Sequence, residues 1–212
     1  MGGDTWIGIL SSNNQPPLEG GGFVLGAQQE KTVNAPDNWE GRIWARTWCN
    51  SGNQHCETGD CGNKLQCGNS GGVPPATLAE FKLRAHDDGK DYYDISLVDG
   101  FNVGVKIEPE NGNGDCNVLH CPNTLNNNCP NELKKSGSGG TVGCDSSCVK
   151  YNTDEYCCRG SFNSAQACDP NKWKLNSAKF FKDNCPDAYS YAYDDKTSLK
   201  TCIANSYRIT FG

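Results

Sequence analysis

Residues Asp91 to Glu108 read DYYDISLVDGFNVGVKIE. Ile95, Leu97, Phe101, Val103, Val105 and Ile107 all fall on odd positions, and a period of two marks a strand with one buried face. Asp99 occupies the same phase, so an acid stands where the pattern wants a hydrophobe. Two compatible readings are open. Asp99-Gly100 is a turn or bulge that ends one strand and starts the next, or Asp99 is a partly buried carboxylate with a shifted pKa.

Working outward, Trp6-Ile7-Gly8-Ile9-Leu10, Phe23-Val24-Leu25 and Arg42-Ile43-Trp44-Ala45-Arg46-Thr47 are further strand candidates. Gln15-Pro16-Pro17 and Gly20-Gly21-Gly22 separate them. Residues 77–86 fit a short strand or helix. Asn176-Ser177 before Ala178-Lys179-Phe180-Phe181-Lys182-Asp183 reads as a capped short helix. Tyr207, Ile209 and Phe211 alternate with Arg208 and Thr210 and form a last strand. Many short strands between Gly- and Pro-rich turns predict a mainly β sandwich.

Composition supports a stapled chain. Of 212 residues, 14 are cysteine, 25 glycine and 10 proline, and hydrophobic residues make up only 35%. That is below the ~45–50% of average domains on a slightly different apolar set. So many cysteines point to an oxidising compartment, and their even number allows full pairing. A net charge of −6 lacks the basic footprint of a nucleic-acid binder. No stretch approaches a membrane span. Met1 is followed by no apolar signal-peptide core, and no N-glycosylation sequon occurs.

The cysteines stand at 49, 56, 61, 67, 116, 121, 129, 144, 148, 157, 158, 168, 185 and 202. None form a C-x-x-C pair, so zinc-ribbon spacing is absent. His55 beside Cys56 and His120 beside Cys121 read as surface histidines next to disulfides. No metal and no cofactor are expected. Spacing alone leaves the pairing open.

The motifs Gly41-Arg42-Ile43-Trp44-Ala45-Arg46-Thr47, Cys56-Glu57-Thr58-Gly59-Asp60-Cys61-Gly62, Pro75-Ala76-Thr77-Leu78-Ala79-Glu80-Phe81, the 91–103 stretch, Glu155-Tyr156-Cys157-Cys158 and Cys185-Pro186-Asp187-Ala188-Tyr189-Ser190-Tyr191 stand out. Together they resemble the thaumatin-like protein family (pathogenesis-related family 5, large plant class). The resemblance spans residues 6–211. It implies a flattened β-sandwich with two disulfide-rich lobes and short helices in the larger one. Sandwich segments are then expected at 1–48, 81–122 and 186–212, the small lobe at 49–80 and the larger lobe at 123–185. It also implies the pairs Cys49–Cys56, Cys61–Cys67, Cys116–Cys202, Cys121–Cys185, Cys129–Cys144, Cys148–Cys157 and Cys158–Cys168. The family's large class normally has one further pair, tying an N-terminal strand to a cysteine beside the C-terminus. Without that pair, an exposed sheet edge is expected.

The resemblance implies a cleft lined by Arg46, Glu80, Asp94, Asp99 and Asp194. Converging carboxylates raise one another's pKa, and an arginine limits the repulsion. One neutral and one ionised carboxyl is what glycoside hydrolysis needs. Glu80 is the expected general acid and Asp99 the base or nucleophile. Tyr189, Tyr191 and Tyr193 alternate and fit either one packed strand face or sugar-stacking aromatics. Trp48 is expected to be an exposed platform or a disulfide cover. The expected function is that of a secreted, apoplastic plant defence protein, monomeric, that binds β-1,3-glucan of fungal walls, with antifungal action and weak endo-β-1,3-glucanase activity. Allergens belong to the same family. The alternative is a non-catalytic binding or inhibitor protein, or a membrane-permeabilising one, of the same fold.

Overall fold

A computed structural model describes residues 3–212, so the N-terminal Met1-Gly2 read for a leader lie outside the described residues. In chain order the strands are β1 (Thr5–Ser11), β2 (Gly22–Leu25), β3 (Glu40–Asn50), β4 (His55–Thr58), β5 (Leu78–Lys82), β6 (Asp91–Ser96), β7 (Val105–Glu110), β8 (Leu119–Cys121), β9 (Lys134–Gly137), β10 (Gly140–Cys144), β11 (Lys200–Cys202) and β12 (Ser206–Phe211). Short helices α1 (Leu125–Asn128), α2 (Ser147–Tyr151), α3 (Asp154–Cys157), α4 (Ser177–Asn184) and α5 (Asp195–Ser198) cluster in the second half. The large sheet runs β11-β6-β5-β3-β1-β2, with β4 paired to β3. A second sheet runs β12-β7-β8, and β9–β10 form a hairpin. All the strand pairs within these sheets are antiparallel. The C-terminal strand β12 is an edge strand.

Alternation decides which side of the large sheet becomes core. Ile43, Ala79 and Ile95 are cross-strand neighbours, and they pack with Ile107 and Leu119 of the second sheet in one cluster. Each fully buried Ile or Leu there contributes about 1.5–3 kcal/mol. The other face carries the opposite set: Arg42 lies opposite Glu80, and Glu80 opposite Asp94. Two smaller clusters flank the sandwich, one around Trp44, Cys61 and Cys67, the other around Cys158, Cys168 and Trp173.

The odd-position rhythm of 91–108 is interrupted at its acid. β6 ends at Ser96, and Gly100 N donates to Leu97 O at 2.9 Å to close a turn holding Asp99. Gly100 has φ +84°, and a Cβ there would meet Cys144 O at 2.7 Å, so both backbone angle and space require glycine. The rhythm resumes with buried Phe101 and Val103 before β7. Asn102 fixes this turn from behind: its Nδ2 donates to Ala45 O and Thr58 Oγ1, and its Oδ1 accepts from Thr77 N. The predicted helix over Ala178–Asp183 is α4, and Asn176 Oδ1 caps it by accepting from Lys179 N at 2.9 Å. The ambiguous 77–86 segment becomes β5, because its alternating residues fit between β3 and β6.

Seven disulfides join all fourteen cysteines in the pairs that the family resemblance implies. The Cys116–Cys202 bond spans 86 positions, and chain-entropy reasoning assigns such a loop roughly 4–5 kcal/mol. Among the described residues, no helix is long and apolar enough to cross a membrane. Among the same residues, no group of three or more His, Cys, Asp or Glu side chains could hold a metal ion.

Candidate acidic site on the sheet face

Glu80 and Asp94 face each other across β5 and β6, a geometry that sets Cβ atoms about 4.5–5.5 Å apart. Burial pushes both carboxyls above the ordinary range, and for Asp94 the charge of Glu80 adds to it. Asp94 Oδ1 is buried without a hydrogen-bond donor. An ionised Asp94 would leave that oxygen uncompensated, which is costly. A protonated Asp94 instead donates to Glu80, and that hydrogen bond holds the proton on Asp94. Burial and mutual repulsion thus favour a pair that carries a proton over one with two full charges.

Arg42, Asp99, Ser96, Tyr189 and Asp195 complete the cluster. Arg42, directly opposite Glu80 on β3, counters the rise at Glu80 and at Asp99. The Asp99 carboxyl, carried by the turn after β6, is itself pushed up by burial. The Ser96 side chain, close to Glu80, lowers its pKa. Tyr189 is locked to the end of β6, its N donating to Ile95 O and its O accepting from Leu97 N, each at 2.8 Å. The Tyr189 hydroxyl donates to Asp195 Oδ1 at 2.8 Å. Burial and these acids raise its pKa further, so the phenol stays a donor.

Of the five residues expected here, the structure brings Glu80, Asp94 and Asp99 together and places two elsewhere. Arg46 shares a face with Arg42 but lies four positions along β3, at the level of Trp6 on β1. It is 1% exposed. Its guanidinium donates to Ile7 O (2.8 Å), Lys64 O (2.6 Å), Leu65 O (2.7 Å) and Cys61 Sγ (3.3 Å). Burial lowers its pKa to about 10, with Asp60 opposing. Arg46 is thus a strut between the sheet and the segment around Cys61–Cys67. Asp194 turns away from the sheet acids. It accepts from Lys182 Nζ (2.9 Å), Ser190 N (3.0 Å), Ser190 Oγ (2.9 Å) and Thr197 Oγ1 (3.0 Å). Burial works against its charged form, but these partners prevail and hold its pKa below the usual range.

Sequence reasoning missed Arg42 and Asp195. Parity cannot separate Arg42 from Arg46, and only the cross-strand register with Glu80 does so. Asp194 and Asp195 are adjacent acids, and the hydroxyl of Tyr189 together with the charge of Asp94 identifies the second as the cluster's neighbour. The tyrosine alternation does not form a strand. Tyr189 joins the acids, whereas Tyr191 and Tyr193 pack toward Trp173 and the Cys158–Cys168 bond. Trp48 is 52% exposed at φ +57°, its ring lying against Gly139 of the β9–β10 hairpin.

The fold and the site define an antiparallel β protein, laced by disulfides, with a buried cross-strand acid pair on the outer face of its large sheet. The chain belongs to the thaumatin family, whose family model matches residues 2–212. It is 50% identical over 209 residues to "Pathogenesis-related protein 5" of Arabidopsis thaliana, covering 97% of this chain and 84% of that one. It is 45% identical over 212 residues to "Glucan endo-1,3-beta-glucosidase" of Prunus avium, with the same coverage of 97% and 84%. A solved thaumatin-like xylanase inhibitor is 26% identical over 58% of this chain and 78% of that one, with a TM-score of 0.45.

Proposed function

We propose that this is a secreted plant defence protein that holds β-1,3-glucan of fungal walls on the acid face around Glu80, Asp94 and Asp99, with antifungal consequence. The observation that carries the reading is the cross-strand Glu80–Asp94 pair, both carboxyls raised by burial, flanked by Arg42 and Asp99. Such a set offers acceptors and one acidic donor to a row of neutral hydroxyls, and it avoids the repulsion that two full carboxylate charges would create. The relative named for glucan endo-hydrolysis, at 45% identity, supports the same substrate class. Seven disulfides among fourteen cysteines support secretion into an oxidising space.

Weak hydrolysis belongs to this reading. Glu80, raised by burial and hydrogen-bonded to the protonated Asp94 from which it can draw a proton, is the general acid, and Asp99, kept from rising further by Arg42, is the base or nucleophile. The test is incubation with laminarin beside a pull-down on insoluble β-1,3-glucan. Wild type is expected to bind and to release reducing ends slowly, and Glu80→Gln and Asp99→Asn to lose the release. Binding without release by wild type would reduce the function to carbohydrate recognition. Failure of the pull-down would overturn the glucan reading itself.

A further inference from the structure

A groove of about 420 Å³ runs along the side of α4, within the range of about 300–1,000 Å³ typical of ligand sites. It includes Asp194 but none of Glu80, Asp94 and Asp99. Its charges are already spent on each other. Lys182 pairs with Asp194 at 2.9 Å, and Lys179 with Asp183 at 2.6 Å. Neither lysine of the groove lining is left over for a phosphate or carboxylate ligand, so an anion there would meet acids whose cations are already paired. What remains free is neutral hydrogen-bonding capacity. The exposed Gln166 amide offers a donor and an acceptor, and Asn171, whose Nδ2 donates to Asp169 Oδ1, keeps its carbonyl oxygen. The Tyr191 hydroxyl, its pKa raised by burial and then by Asp194 and Asp169, remains protonated beside them. Tyr191 and Pro170 supply partly exposed apolar surface suited to sugar C–H groups.

The structure assigns to this groove a second site for a neutral saccharide, separate from the acid face. The two sites share a wall. Asp194 lines the groove, and its chain neighbour Asp195 accepts from Tyr189 beside the sheet acids. The assignment rests on the polysaccharide reading only for its choice of probes.

The experiment is a titration of the ¹⁵N-labelled protein with laminarihexaose, cellohexaose and chitohexaose, followed by two-dimensional NMR. Wild type, Gln166→Trp, which plugs the groove, and Glu80→Gln are compared. At least one hexaose is expected to move the amide signals of Ala178 and Tyr191. Gln166→Trp should weaken that response about tenfold while leaving the response of Glu80 and Asp94 intact. Near-UV circular dichroism verifies that the plugged variant is folded. Unmoved Ala178 and Tyr191 signals with all three hexaoses would overturn the groove site, as would a groove response that survives the plug. Groove signals that respond in both wild type and Glu80→Gln, with no response from the sheet acids, would support the groove and remove the acid-face reading instead.

Discussion

Two regions of this molecule bury charge in opposite ways. At the struts, Arg46 donates to three backbone carbonyls and a sulfur, and Asp194 accepts from a lysine, a backbone amide and two hydroxyls. On the sheet face, Glu80 and Asp94 meet chiefly one another, and Asp94 keeps one oxygen without a donor. Arg46 and Lys182 tie the flanking segments to the sandwich through several partners each, although Arg46 Nε, like Asp94 Oδ1, is buried without one. The sheet acids are under-compensated, which destabilises the folded chain and leaves hydrogen-bonding capacity for a ligand. The difference separates charges that hold the molecule together from charges that are free to act.

The largest test of this contrast is Arg46→Met, which keeps most of the volume but abandons three buried carbonyls. Urea unfolding should show a loss of about 3 kcal/mol. Asp194→Asn should cost about 1.5–3 kcal/mol at neutral pH. The folded pKa of Asp194 is lowered, so its stabilisation is complete above the unfolded value of about 3.9 and is lost as pH falls through the folded value. Thermal melts of Asp194→Asn and wild type should therefore converge in acid.

Asp94→Asn should act with the opposite sign. The folded pKa of Asp94 is raised, so the wild type is favoured below about 3.9 and loses stability as pH climbs toward the folded value. An asparagine amide can donate to Glu80 as a protonated Asp94 does. The variant should thus gain about 1 kcal/mol at neutral pH, and the gain should vanish in acid. Destabilisation by Asp94→Asn at neutral pH would erase the distinction between the two regions. The smallest stability effect is expected from Arg42→Gln, within about 0.5 kcal/mol. Its mark should be a rise in the Glu80 and Asp99 pKa values, read by carboxyl ¹³C titration.

The period-two pattern of 91–108 carried the sandwich, because alternation is a local property that the fold preserves. It also marked Asp99-Gly100 as a turn that carries a partly buried acid, whereas the grouping of Asp99 with Glu80 and Asp94 came from the family resemblance. The arginine was not legible in the same way. Arg42 and Arg46 differ by four positions on one face of β3, and the choice between them depends on how far β5 overlaps that strand. Asp194 and Asp195 differ by one position within a turn, where no periodicity assigns direction. Tyr189, Tyr191 and Tyr193 alternate as a strand would, yet the only bridge they make is that of Tyr189 to Ser96. The polypeptide turns sharply after it. Elements were readable from composition and rhythm, whereas side-chain convergence required the register between distant strands.

The segment that carries Tyr189, Asp194 and Asp195 begins at Cys185 and ends at Cys202, and both cysteines are bonded to residues around β8, at Cys121 and Cys116. A protease that cut this segment would sever the backbone without releasing either end. The nicked protein would migrate as one species until reduced, and each fragment of the acid-bearing strap would stay tethered next to the sheet. That is a form of fail-safe wiring. The strap that frames the candidate site can be broken once and still remain in place.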